Sequence, residues 1–296
     1  MRSFGHDCIV ARHTMNRYDG RLLKSIGPFM KLIPYVMTRR SDAQIFSRQL
    51  VMTEPIDDYI KEKREQGVEL TYLHVFIAIF VRLIALRPQL NRFVINGRLY
   101  ARNRIWISLT VKRSLHDEGE ETSVKFTFSG KENIFEVAAI VDRVLDESLS
   151  EGARNSGDRI AAAIMSLPHF MVQGLVRLLK WMDRHNLLPK SVIEASPFHT
   201  TMFFTYLKSI NLDYVYHHLY DFGTTGIFAA LGKNKKLPVV HGDDPVVKKC
   251  CEIGYVLDER ICDGIYFSNS FKLMKKYLAE PRLLEESLNN ITEDID

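Results

Sequence analysis

The chain has 296 residues, 46% apolar and 26% charged, and its 40 basic residues against 36 acidic ones give a net charge of +4. These proportions suit a folded soluble protein and exclude wholesale disorder or a bundle of membrane spans. The basic surplus is too small and too evenly spread to indicate nucleic acid, and no such partner is expected.

The opening Met1-Arg2-Ser3-Phe4-Gly5-His6 has no apolar core of signal-peptide length. The pattern then predicts a surface helix within Arg21–Met37, broken near Pro28 and Pro34, in an N-terminal helical extension over residues 1–40. A strand is predicted from Ala43 to Val51. Glu54-Pro55 opens a short helix through Arg64, since proline suits a first turn and Glu54, Asp57 and Asp58 suit its positive end. Thr71 to Leu86 is apolar almost all round and reads as a helix covered on several sides, with His74 a core residue. Its longest apolar run, Val75 to Val81, is far short of the roughly 20 residues of a membrane span.

Phe93 to Tyr100 is a hairpin signal, because Asn96-Gly97 readily takes the positive φ angles of a two-residue turn. Alternating strands follow at Ile105–Val111 and Ser123–Phe128, joined by an exposed acidic turn from Asp117 to Glu121. Ile134 to Leu149 is an amphipathic helix. In Leu167 to His185 the polar residues His169, Gln173, Arg177, Lys180 and Arg184 form one narrow stripe opposite a wide apolar face. That pattern fits a helix packed between a domain and a neighbouring subunit. It also fits a peripheral membrane contact through residues 167–185.

Strands return at Thr201–Tyr206, Gly226–Leu231 and Val247–Leu257, and an amphipathic helix runs from Gly264 to Leu278. The acidic residues from Glu285 to Asp296 are expected to fray, leaving a catalytic-type domain over 41–285 and a tail over 286–296. Cys8, Cys250, Cys251 and Cys262 contain no Cys-x-x-Cys pair and no His cluster joins them. They read as reduced thiols of a cytoplasmic protein, with no structural metal.

The segment CCEIGYVLDERICDGIYFSNSFKLMKKYLAEP runs a strand into Asp258-Glu259-Arg260-Ile261-Cys262-Asp263-Gly264 and leaves at once in a helix. It resembles the signature of the 2-oxoacid dehydrogenase acyltransferase catalytic domain and of chloramphenicol acetyltransferase, in which a strand ends in His-x-x-x-Asp-Gly. Phe204-Thr205-Tyr206-Leu207 is similar to the family's Phe-Thr-x-Ser strand, and Gly226 to Gly232 to the strand after it. Leu237 to Val240, followed by Val246-Val247-Lys248, is similar to the hairpin before the active-site strand.

The resemblance implies an α/β fold, a two-layer α+β sandwich of the chloramphenicol acetyltransferase type with a mixed sheet covered by helices. It implies a homotrimer with sites at the subunit interfaces and coenzyme A or acyl-CoA as co-substrate, with no permanently bound cofactor. No lipoyl-type domain is recognised before it, so the chain reads as a free-standing member. Carried over by position, Thr205 is the hydroxyl that donates to the oxyanion. Asp263 is the aspartate that holds the loop by ion pairing, Gly264 the turn glycine, and Arg39 or Arg40 the candidate partners of Asp263.

Glu259 stands where the family keeps its histidine base. An ordinary glutamate, near 4.3, is a weaker base than an imidazole near 6.5 unless burial raises it. A relocated base is available in the loop histidines His217 and His218. Two functions stay open: an acyl-CoA-dependent acyltransferase acting on a hydroxyl or thiol, and a trimeric scaffold or acyl-CoA-binding pseudoenzyme.

Overall fold

The computed structural model of the chain describes residues 17–112, 121–150, 156–241 and 244–296. Cys8 and the acidic turn at 117–120 lie outside the described residues. The described elements are β1 (Gly20–Leu22), α1 (Pro28–Val36), β2 (Gln44–Met52), α2 (Glu54–Glu65), α3 (Tyr72–Leu86), β3 (Arg92–Ile95), β4 (Arg98–Arg102), β5 (Ile105–Lys112), β6 (Glu121–Phe128) and α4 (Ile134–Leu149). They continue as α5 (Ser156–Met165), α6 (His169–Arg184), α7 (Lys190–Ala195), β7 (Met202–Tyr206), β8 (Ile227–Leu231), β9 (Lys235–His241), β10 (Asp244–Asp258) and α8 (Gly264–Ala279).

The main sheet runs β2-β10-β8-β7-β5-β6, with β9 paired to the first half of β10. It is mixed: β5, β7 and β8 are mutually parallel, and β2, β6, β9 and β10 pair antiparallel with their neighbours. Alternation decides its faces. Ile107, Phe126, Phe204, Ala229, Ile253, Tyr255 and Leu257 join α3, α4 and α8 in one core, which is why α3 is apolar all round. The intervening Phe203, Phe228 and Val256 point to the other face, where Leu219 and Tyr220 cover them. His74 belongs to the core as expected: it closes a capping box with Thr71 and its Nε2 lies 2.9 Å from Asp142.

A small second sheet, β1-β4-β3, is built on the predicted hairpin, with Asn96 at φ 49° and Gly97 at φ 72°. The predicted surface helix is shorter than expected. Pro28 starts α1 instead of breaking it, because a proline nitrogen needs no partner in a first turn. The residues before it form β1, paired with β4.

Helix α6 leaves much of its apolar face uncovered: Phe170 is 73% and Trp181 50% exposed, while Leu179 and Met182 pack on Trp106, Leu188 and Ile193. Its one buried residue is Asp183. There Arg17 Nη2 is 2.8 Å from Asp183 Oδ1, Arg17 Nη1 donates to the Asp183 carbonyl at 2.7 Å, and His199 Nε2 lies 3.3 Å from Oδ1. Burial would raise the Asp183 carboxyl, but His199 and Arg17 outweigh it and hold it at about 2. Burial also holds His199 below its ordinary value against the pull of Asp183. His199 Nε2 has no hydrogen-bond partner, so Arg17, which is shared with Asp19 at 2.8 Å, carries the positive charge that faces Asp183.

The acidic tail does not fray. Leu288 N donates to Lys131 O and Thr292 N to Ala85 O, both at 2.9 Å. Asp294 takes two hydrogen bonds of 2.6 Å from Arg92, with both side chains buried. A buried guanidinium requires a carboxylate, and the tail supplies it. Asp294→Ala is therefore expected to cost about 3–5 kcal/mol, lowering the thermal unfolding midpoint by about 10 °C. An unchanged midpoint in a scanning melt would contradict the pinned tail.

Candidate active site

Strand β10, interior to the main sheet, carries the motif at its C-terminal end. Its last residue, Asp258, is buried and grips Arg260 in a two-pronged ion pair, Nε to Oδ1 and Nη2 to Oδ2, both 2.7 Å. Arg40 Nε lies 3.5 Å from Asp258 Oδ2. The same guanidinium donates to Tyr220 O at 2.7 Å and Val94 O at 3.1 Å, and Arg260 donates to Met37 O at 3.0 Å. Asp221 Oδ1 accepts from the backbone of Arg40 and Ser41 at 2.9 and 3.1 Å. Two buried arginines thus tie the end of β10 to the segment after α1, to the hairpin and to the loop before β8. This clamp is absent from the sequence expectations. The signal was available: charges at 258 and 260, closing an apolar strand on both sides of 259, need buried partners.

Glu259 sits between the clamped residues. Its backbone N donates to Ala43 O at 2.9 Å, while its side chain is exposed and has no partner among the described residues. The chain alone therefore does not bury this carboxylate.

Asp263 departs from the expected role. It caps α8, its Oδ1 accepting from Tyr266 N at 2.8 Å, and it makes no ion pair among the described residues. Of the candidate arginines, Arg40 pairs with Asp258 instead, and Arg39 is exposed. A Cβ on Gly264 would meet nothing within 4 Å, so the space beside the turn is open. Cys262 is buried, and burial pushes its thiol up, so it is no nucleophile.

Thr205 lies elsewhere on the sheet. It pairs with Ala230, and Ala230 with Gly254, five residues before Glu259. Five residues of strand and two inter-strand steps separate Thr205 from Glu259 by about 19 Å. One chain cannot bring them together.

The loop from Asn211 to Phe222 crosses the face between them. Two glycines let it lie flush: a Cβ on Gly232 would come 2.5 Å from Tyr214 N, and one on Gly254 2.6 Å from Tyr214 Cδ2. His217 stacks on Phe228 with centroids 4.3 Å apart. Its Nε2 is buried without a partner, and burial, then His218, holds the ring below its ordinary value. His218 is exposed and meets Tyr220 edge-on at 5.1 Å.

No family model matches the chain, and no curated protein matches its sequence. Solved structures do match. A probable dihydrolipoamide acetyltransferase from Listeria monocytogenes 4b F2365 aligns over 86% of this chain and 93% of its own, with a TM-score of 0.53 and 15% identity. A chloramphenicol acetyltransferase aligns over 88% and 99%, with a TM-score of 0.55 and 10% identity. A truncated catalytic core of the 2-oxoacid dehydrogenase multienzyme complex from Thermoplasma acidophilum aligns over 88% and 98%, with a TM-score of 0.52 and 13% identity. The chain has the fold of these acyltransferases. Within this acyltransferase fold, Glu259 and Asp263 share the turn after β10, whereas Thr205 and the two histidines are carried by β7 and the loop that follows it.

Proposed function

We propose that the chain is an acyl-CoA-dependent acyltransferase that transfers an acyl group to a hydroxyl or thiol acceptor and works as a homotrimer. The carrying observation is Glu259: an unpaired, reachable carboxylate between two residues fixed by buried ion pairs. Holding Asp258 and Arg260 in the interior costs desolvation energy, and what it secures is the position of residue 259.

In this reading Glu259 takes the proton of the acceptor O–H or S–H as that atom attacks the thioester carbonyl. Thr205 of a neighbouring copy donates its hydroxyl hydrogen to the oxygen that becomes negative. The carbon–sulfur bond then breaks and the leaving thiolate recovers the proton. Glu259 is favoured over His217 because a base must reach its substrate, and the free nitrogen of His217 is closed off. Packing against a neighbour would supply the burial that strengthens a carboxylate base.

The exposure of Glu259 in one chain supports a second reading, an acyl-CoA-binding scaffold without turnover. Incubation with acetyl-CoA and a panel of alcohols and thiols, following free thiol, separates the two. Steady release that depends on acceptor is expected. Calorimetric binding of coenzyme A without release would favour the scaffold, and a monomer by light scattering would remove both.

Among the described residues no helix is long and apolar enough to cross a membrane. The exposed apolar face of α6 supports contact with a neighbouring subunit or with a membrane surface.

A further inference from the structure

Beside the clamp lies a cavity of about 440 Å³, walled by α1 and the segment after it, the hairpin turn, α6 and the loop before β8. Five lining residues are cationic (Arg39, Arg40, Lys180, Arg184 and Arg260) and two are acidic (Asp183 and Asp221).

Both acids are already engaged. Asp183 is paired with Arg17, behind the wall. Asp221 accepts from the backbone of Arg40 and Ser41 and from the Ser41 hydroxyl. Asp258, beneath the cavity, is held by Arg260 and Arg40. The cations are not matched in the same way. The side chains of Arg39, Lys180 and Arg184 make no ion pair or hydrogen bond among the described residues, and Arg40 Nε, 3.5 Å from Asp258 Oδ2, is buried without a hydrogen-bond acceptor. Lys180 and Arg184 are four residues apart on α6, so their like charges face each other and repel. The arrangement is unfavourable while the cavity holds only water, and it is relieved by an anion of more than one charge.

We propose that this cavity binds a phosphate-bearing ligand, whose oxygens seat between Arg39, Lys180 and Arg184. Guanidinium forks match phosphate oxygens in pairs, and Lys180 adds a point charge. The volume falls within the range of small-molecule sites, so the ligand is larger than a phosphate ion. The assignment does not depend on turnover at Glu259, because it rests on cations outside that residue. Two sources share this chemistry: a free phosphorylated molecule, or the headgroup of a phospholipid. Exposed Tyr35 on the cavity wall and Trp181 and Phe170 on α6 would contact a lipid's apolar part.

The test compares the full chain with Lys180→Ala/Arg184→Ala, whose two positions are exposed and leave the clamp intact. Calorimetric titration with inorganic pyrophosphate at low salt is expected to give binding that added salt weakens and the double variant weakens about ten-fold or more. In parallel, flotation uses phosphatidylcholine vesicles with and without phosphatidylglycerol. Binding of pyrophosphate, lost in the variant, assigns a free ligand. Binding only to the anionic vesicles, lost in the variant, assigns a headgroup. Equal binding by both proteins, or none to either probe, overturns the proposal.

Discussion

Glu259→Gln is expected to reduce thioester turnover by about 10²–10⁴-fold, the usual contribution of a general base. The unfolding midpoint should not move, because the carboxylate makes no contact within the described chain. Thr205→Val removes the oxyanion donor, with an expected loss of about 10²–10³. About 19 Å of sheet separates the two residues on one chain, so neither defect can be repaired in that chain. Co-refolded in equal amounts, the two inactive variants should recover about a quarter of the wild-type sites, since each site then draws its two residues from different copies at random. Verified mixing without recovery would falsify the shared site. His217→Asn serves as the control: if it reduces turnover more than Glu259→Gln does, the base lies in the loop and not in the motif.

The second large effect is on stability. Asp183→Ala should cost about 2–3 kcal/mol, because it removes one of the two carboxylates that hold buried Arg17, Asp19 being the other, and takes away the one buried anchor of α6. The pH dependence has a definite sign. The folded Asp183 value of about 2 lies below the ordinary carboxylate value. Its stabilisation is therefore complete above about pH 4 and is lost as pH falls through about 2. His199 is also lowered, so it favours the fold while neutral, and that contribution declines as pH falls below about 6.5. Acid denaturation followed by circular dichroism should show both stages. Asp183→Ala should remove the lower one, and an unchanged acid limb would contradict the ion pair.

Much of this fold was legible because its signals are local. Period-two alternation marked β5 and β6, the resemblance to family strands marked β7 and β8, Asn96-Gly97 marked the hairpin, and the all-apolar α3 announced a helix enclosed by sheet and helices. The misses share one physical cause, which is partnership over long sequence distance. Nothing near Asp294 says that Arg92 needs it, and nothing near Asp263 says that Arg40 chooses Asp258. Helices α5 and α7 escaped notice because both are short, and Ala161-Ala162-Ala163 gives α5 little apolar periodicity. At the site, the motif located Glu259 correctly on the turn after β10. The clamp that fixes it, and the distance that separates it from Thr205, became visible only in three dimensions.

Strand β10 also constrains how the protein can be made. It lies between β2 and β8 in the sheet but follows both in the chain, with Met52 paired to Cys250 and Ile227 to Leu257. During synthesis, β2 leaves the ribosome long before the strand that joins it to β8, while β8 is followed by β10 after a single strand. The open edge of β2 must then wait, a template for pairing with another chain. Yield should accordingly respond to translation speed and to chaperone supply during the interval before β10 emerges.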